Sequence, residues 1–256
     1  MKNTFTLLGC GSSLGSPWIT NYWSNLNKKN KKNLRTRCCA HIKYKNMSIL
    51  IDTSPDIREQ FLKNKIIDVD AIVYTHEHAD QTSGIFEMRP FFWKNKKKIP
   101  VYGSKRTINE LIKKHTFCFL PRHGYKPIMK SFIVKNFFSL KKKNVTLKMK
   151  SFDVKHGLIN ATGYVFENIA YISDCNDIPK KSYKYLKNLN YLIIDCLRIR
   201  KHPSHFNYDD AINIIKELKP KKAILTNLHN DFDYKDLKKK LPKNIIPGFD
   251  GLSFKF

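Results

Sequence analysis

Short apolar runs recur along the chain, each ended by a polar turn. Runs at 5–8, 41–44, 48–51, 71–74, 101–102, 132–134, 145–149, 163–166, 169–172, 191–194 and 223–226 carry a strand signal. Helical spacing appears at 56–64, 105–114 and 208–218. The last stretch lines up Tyr208, Ala211, Ile212, Ile214, Ile215 and Leu218 as one apolar stripe. Strands in both halves with helices between them predict an α+β fold, two β-sheets packed face to face with helices on the outer faces. No internal repeat or long linker interrupts the pattern, so residues 1–256 read as a single domain. The lysine-rich stretch 24–34 reads as a surface loop.

Composition narrows this. With 41% apolar residues in 256, the chain can bury a sizeable core. No run reaches the roughly 18 apolar residues of a membrane span. The apolar part of the N-terminus is too short for a signal peptide. A cytoplasmic address without membrane contact is therefore expected. Six cysteines occur without a C-x-x-C pair, which predicts free, mostly buried thiols. Adjacent Cys38 and Cys39 should point to opposite faces.

The net charge of +27 would suit a nucleic-acid partner, but only eight of the 48 basic residues are arginine. Lysine is spread end to end, often beside asparagine, as in Asn27-Lys28-Lys29-Asn30-Lys31-Lys32-Asn33. Arginine is the better residue for bidentate phosphate recognition. The expected partner is a small anionic substrate drawn in by the positive field; nucleic acid stays open but is not favoured. A homodimer also stays open.

The densest chemistry is Thr75-His76-Glu77-His78-Ala79-Asp80-Gln81, directly after the apolar run Ala71-Ile72-Val73-Tyr74. In an extended segment residues i, i+2 and i+4 share a face. His76, His78 and Asp80 are thus expected to converge on a metal just past a strand end. Imidazole with carboxylate suits zinc, manganese or iron. An exposed H-x-H alone is as often a plain loop; the carboxylate in phase favours the metal.

Elsewhere His156, Asp174, Asp52, Asp195, His202, His205 and His229 each sit just past an apolar run or before a helix. Taken singly, each has a structural reading as a turn, cap or core residue. Taken together, they are what a rigid scaffold gathers at one edge. Gly9-Cys10-Gly11-Ser12-Ser13-Leu14-Gly15 lacks a following helix or P-loop lysine, so a tight turn near that edge is the better reading.

The order H-x-H-x-D, a distant histidine, a strand-terminal aspartate and a final histidine resembles the metallo-β-lactamase superfamily. Within it the chain resembles the phosphoribosyl 1,2-cyclic phosphate phosphodiesterase (PhnP-like) branch, near ribonuclease Z. The resemblance rests on 8–17, Arg35-Thr36-Arg37-Cys38-Cys39, Ile51-Asp52-Thr53-Ser54-Pro55-Asp56, 75–84, Tyr171-Ile172-Ser173-Asp174, His202-Pro203-Ser204-His205 and 223–229, nearly the whole chain.

That resemblance implies an αββα sandwich with two mixed sheets. It implies Zn2+ or Mn2+, two ions per chain. His76, His78 and His156 would hold the first; Asp174 would bridge; Asp80 would sit on the second. His205 would act as general acid near the leaving group, and Asp52 would support the site from behind, with His202 nearby. Where the family has a second-metal histidine after Asp80, this chain has Gln81. Where the family has the final histidine, it has Asn227. If the chain stays extended there, His229 shares a face with Asn227 and is expected to replace the missing ligand at a weaker second site. The cysteine cluster of some relatives is lacking, so no structural zinc is expected at 28–33.

The implied reaction is metal-dependent hydrolysis of a small cyclic phosphodiester by an activated hydroxide, with Asp80 aligning the nucleophile and His205 protonating the leaving oxygen. Two alternatives remain: a ribonuclease Z-like nuclease acting on RNA, and a non-catalytic binding protein with a degraded second metal site. Thioester or β-lactam hydrolysis is a weaker rival.

Overall fold

The computed structural model describes residues 3–256. Its strands are β1 (Thr4–Gly9), β2 (Cys39–Tyr44), β3 (Met47–Ile51), β4 (Ala71–Val73), β5 (Ile99–Gly103), β6 (Met129–Ile133), β7 (Phe137–Lys142), β8 (Val145–His156), β9 (Ile159–Phe166), β10 (Ile169–Ile172), β11 (Tyr191–Asp195), β12 (Lys222–Thr226), β13 (Ile245–Pro247) and β14 (Leu252–Lys255). The helices are α1 (Ile57–Asn64), α2 (Ala79–Thr82), α3 (Arg89–Asn95), α4 (Lys105–Lys114), α5 (Thr116–Phe119), α6 (Tyr208–Leu218) and α7 (Tyr234–Lys240).

Two seven-stranded sheets form, in the orders β14-β1-β2-β3-β4-β5-β6 and β13-β12-β11-β10-β9-β8-β7. Both are mixed. Strands β3 to β6 run parallel, as do β10 to β13, and the other pairings are antiparallel. The expected α+β sandwich is the one observed.

Period-two alternation builds it. Ile49, Ile51, Ala71, Val73, Ile193 and Ile224 face the space between the sheets, with Phe5 and Tyr171. Their neighbours Leu50 and Ile72 pack outward under α1 and α4, against Ile57, Phe61, Ile108 and Leu111. Leu192, Ile194, Ala223 and Leu225 pack outward under α6 and α7, against Ala211, Ile215 and Leu237. Each fully buried side chain of this kind contributes roughly 1.5–3 kcal/mol, so a strand that slipped by one residue would lose a whole row of them.

The elements missed in the sequence have physical reasons. Strands β7 and β14 are edge strands; in β7 only Leu140 is fully buried, and in β14 no side chain is. Helix α3, with Pro90 in its first turn, packs only the adjacent Phe91 and Phe92 on the core, half-buried, and two neighbours make no helical stripe. The stretch 24–34 is more than a loop. Asn33 is fully buried, its amide donating to Asp233 Oδ2 at 2.6 Å while its carbonyl oxygen accepts from Tyr234 N at 2.8 Å, which pins the stretch to α7.

The six cysteines are free and buried. Cys38 Sγ lies against Gly11 O and Thr226 Oγ1, whereas Cys39 Sγ faces Asp52 O, so the two thiols do diverge. The glycine-rich turn after β1 docks beside the segment after β12, through Leu228 N to Cys10 O at 2.8 Å. A Cβ at Gly9 would stand 2.1 Å from Arg37 O, which requires glycine there. Among the described residues no helix is long and apolar enough to cross a membrane.

Candidate metal centre

Strands β4, β8, β10, β11 and β12 all deliver their C-terminal ends to one edge of the sandwich. The sheets are tied together there by Thr162 N donating to Thr75 O at 2.9 Å and by the Tyr164 hydroxyl donating to Tyr74 O at 2.6 Å.

His76, His78 and His156 bring one ring nitrogen each within 4.8 Å of one another. His156 Nε2 and His78 Nδ1 are 3.1 Å apart. Two nitrogens on one tetrahedral ion, each about 2.0–2.1 Å from it, stand roughly 3.4 Å apart. The three imidazoles are therefore arranged as ligands of one ion. His76 Nε2 is buried with no hydrogen-bond partner, as a nitrogen reserved for a metal must be.

The other ring nitrogens explain the orientation. His76 Nδ1 lies 3.0 Å from Thr75 Oγ1, whose own proton goes to Asp52 Oδ2 at 2.8 Å. The hydroxyl must then accept the Nδ1 proton, which leaves the Nε2 lone pair free. His156 Nδ1 donates to the Ser204 carbonyl at 2.7 Å with the same result. Burial first, then the neighbouring imidazoles, pushes His76 down to about 3, so it stays neutral and available as a ligand. Asp52 is fully buried at the end of β3 with φ +63°; it acts on His76 only through Thr75.

A second group shares His156 and adds Asp174 and His205. Asp174, at the end of β10, is buried, yet the histidines around it hold its pKa below the usual carboxylate range. His205 Nδ1 lies 2.8 Å from Asp195 Oδ2. Burial works against a charge on His205, but the Asp195 carboxylate and its hydrogen bond, with Asp174, raise it to about 9. The imidazole therefore carries a proton at neutral pH. Asn227 Nδ2 is 3.1 Å from the same Nδ1, but that nitrogen's hydrogen is committed to Asp195, so the amide hydrogen goes to Asp174 Oδ1 at 3.2 Å.

Asp80 reaches the centre by a different route from the one expected. The chain is extended only to His78, then turns into α2, so Asp80 does not share an extended face with the two histidines. It belongs to neither ligand group; Gln81 ties it in. The Gln81 amide nitrogen lies 3.2 Å from both Asp80 Oδ2 and Asp174 Oδ2. Burial, then the charge of Asp174, pushes Asp80 up to about 6. Gln81 Oε1 is buried without a partner.

His229 does not join either group, and its expected role as replacement ligand is corrected. Asn227 has φ +61°, which breaks the extended run, so residues 227 and 229 do not share a face. His229 instead sets Nδ1 2.9 Å from Asp231 Oδ1 and packs its ring edge-on to Trp18. His202 stands beside His205, ring centres 5.0 Å apart, with its Nδ1 turned to Ser204.

The contacts of Thr75 with His76 and of Asp195 with His205 are what the sequence did not reveal. Asp195 was visible as a strand-terminal carboxylate, but nothing in the sequence paired it with His205. The donor set fits a divalent ion: three imidazoles, two of them with anchored Nδ1 atoms, one carboxylate beside them, and an unpaired buried nitrogen on His76.

Residues 47–227 match the beta-lactamase superfamily domain. Among solved structures, a diphosphatase from the PhnP family is 30% identical, with a TM-score of 0.90, covering 100% of this chain and 98% of that one. The metallo-β-lactamase fold protein YhfI from Bacillus subtilis, 15% identical with TM-score 0.74 and full coverage of both chains (100% each), shares the fold. So does the short form of human tRNase Z, 16% identical with TM-score 0.70 over 98% of each chain. An octanoyltransferase from Porphyromonas gingivalis is 30% identical over 251 residues, 96% of this chain. The chain spans about half (50%) of that relative's length. The family match over most of the chain and the ligand groups at the strand ends together place it: this chain belongs to the metallo-β-lactamase superfamily of metal-dependent hydrolases.

Proposed function

We propose that the chain is a phosphodiesterase that cleaves a small anionic phosphoester, with phosphoribosyl 1,2-cyclic phosphate as the reference substrate. The observation that carries this is the charged His205–Asp195 pair set against the ligand group formed by His156 and Asp174. A proton donor fixed beside a metal centre suits departure of an alkoxide or phosphate oxygen, which needs protonation. The 30% identity to a diphosphatase supports phosphorus as the electrophile.

A divalent ion held by His76, His78 and His156, with Asp174 reaching a second, would supply Lewis acidity toward water and the phosphoryl oxygens. Zinc or manganese suits these donors. The second site is the weaker, since Gln81 and Asn227 offer amides in place of imidazoles. The protein's own groups do the rest. Asp80 orients the attacking water and accepts its proton. His205 gives its Nε2 proton to the leaving oxygen while Asp195 holds the imidazolium through Nδ1–H. Gln81 keeps Asp80 and Asp174 apart by donating to both.

The test is a substrate panel with zinc- or manganese-loaded protein: phosphoribosyl 1,2-cyclic phosphate, bis(p-nitrophenyl) phosphate, a diphosphate, pre-tRNA and an octanoyl thioester. Turnover of the small phosphoesters, abolished by Asp80→Ala, is expected. Cleavage of pre-tRNA alone would instead make the chain a nuclease, and hydrolysis of the thioester alone an acyl hydrolase. No turnover with less than one metal per chain would make it a binding protein.

A further inference from the structure

Beside the metal centre lies a groove of about 880 Å³ that this mechanism does not use. Phe86, Trp93, Phe117 and Tyr125 form its apolar walls, all of them exposed. Arg89, Lys113, Lys114, Arg122 and Lys126 also line it, and none of its lining residues is acidic. Its volume falls within the roughly 300–1,000 Å³ of small-molecule sites.

Arg89 is the central feature. Its guanidinium lies over three rings, 5.5 Å from Phe86, 4.5 Å from Trp93 and 5.7 Å from Tyr125. Among the described residues it makes no side-chain hydrogen bond or ion pair. Three rings hold the cation in place and leave its planar N–H fork unspent, which suits a phosphate. The outer wall is held by a tight turn. Tyr125 N donates to Arg122 O at 2.8 Å, with His123 and Gly124 both left-handed between them. Lys114 joins groove to centre: it lines the groove, and its ammonium donates to Glu77 O at 3.1 Å, between the metal-facing His76 and His78.

We infer that this groove binds the ring end of the substrate, and that the substrate class is a nucleotide-like phosphoester, with its base stacked on Trp93 and its neighbours and its phosphate read by Arg89. Every base offers a flat face to aromatic side chains, and the cations supply the complement for the phosphate. That the phosphate then points toward the metal centre rests on the hydrolase reading above; occupation of the groove does not.

The experiment measures binding of adenosine 5′-monophosphate, ribose 5-phosphate and adenosine to the full chain by calorimetry. All are product-like ligands that need no turnover, so a failed hydrolase reading would leave the result intact. Adenosine 5′-monophosphate is expected to bind about tenfold more tightly than either of the others. Trp93→Ala should collapse the preference over ribose 5-phosphate, and Arg89→Gln the preference over adenosine. Both side chains stand at the surface of the groove, and circular dichroism verifies that the variants fold. Equal binding of the three ligands, preferences that survive both substitutions, or a dimer that buries the groove and excludes nucleotide would each overturn the inference.

Discussion

His205 Nδ1 stands 2.8 Å from Asp195 Oδ2, a fully buried carboxylate one strand away from the metal-facing Asp174. Burial pushes Asp195 up to about 6, still below neutrality, so the two groups are both charged at pH 7. In the proposed mechanism Asp195 thereby decides whether His205 can act as an acid.

Asp195→Asn should lower kcat by about 10²-fold, the low end of what a positioned general acid contributes. The sign with pH is also fixed. His205 is raised to about 9, so its acid form is present below that pH and lost above it. Without the carboxylate the alkaline limb of the kcat profile should move to lower pH. A variant with reduced rate and an unmoved limb would deny the pair this role.

Thr75→Val keeps the shape of the side chain but removes the hydroxyl between Asp52 and His76. The His76 tautomer is then no longer enforced. Metal affinity is expected to fall about 10–100-fold, read by competition with a chromophoric chelator, with a stability loss of roughly 1–3 kcal/mol in urea unfolding. Unchanged affinity would show that the relay does not set the ligand.

The amides of Gln81 and Asn227 stand against the Asp174 oxygens. Replacing both, as Gln81→His with Asn227→His, should raise metal content on reconstitution, measured by plasma mass spectrometry. His229→Ala should leave metal content unchanged, because its ring is engaged with Asp231 and Trp18. Loss of metal in that variant would restore His229 as a ligand.

Away from the centre, His41 is buried in β2 with Nε2 2.8 Å from Ser48 Oγ. Burial, with Lys43 nearby, lowers its pKa from 6.5 to about 4. The unfolded chain therefore takes up this proton before the folded one does. The stability it contributes is complete above pH 6.5 and is lost as pH falls through about 4, and the shift corresponds to about 3 kcal/mol. Chemical unfolding at pH 7 and pH 4.5 should show a smaller loss in His41→Gln than in the wild type. Equal losses would assign the acid sensitivity elsewhere.

The sequence by itself determined the sandwich and most of its parts list. The unbroken apolar runs at 49–51, 71–73, 192–194 and 223–225 are a local signal that survives without knowing any partner, because each such strand is buried on both faces. The stripe of α6 is legible for a different reason, since burying one face of a helix leaves a local period of 3.6 residues. His76, His78 and His156 were also legible, since strand ends in such a fold meet at one edge.

Only the tertiary structure decided what local geometry could not carry. Asn227 adopts a left-handed backbone that turns His229 away. The chain coils into α2 at Ala79, so Asp80 comes in beside Gln81 rather than beside the histidines. His205 folds back ten residues onto Asp195, and Lys114 reaches the loop between His76 and His78 from 37 residues away. Each of these depends on a single dihedral angle or a contact between distant residues, and neither leaves a periodic mark on the chain.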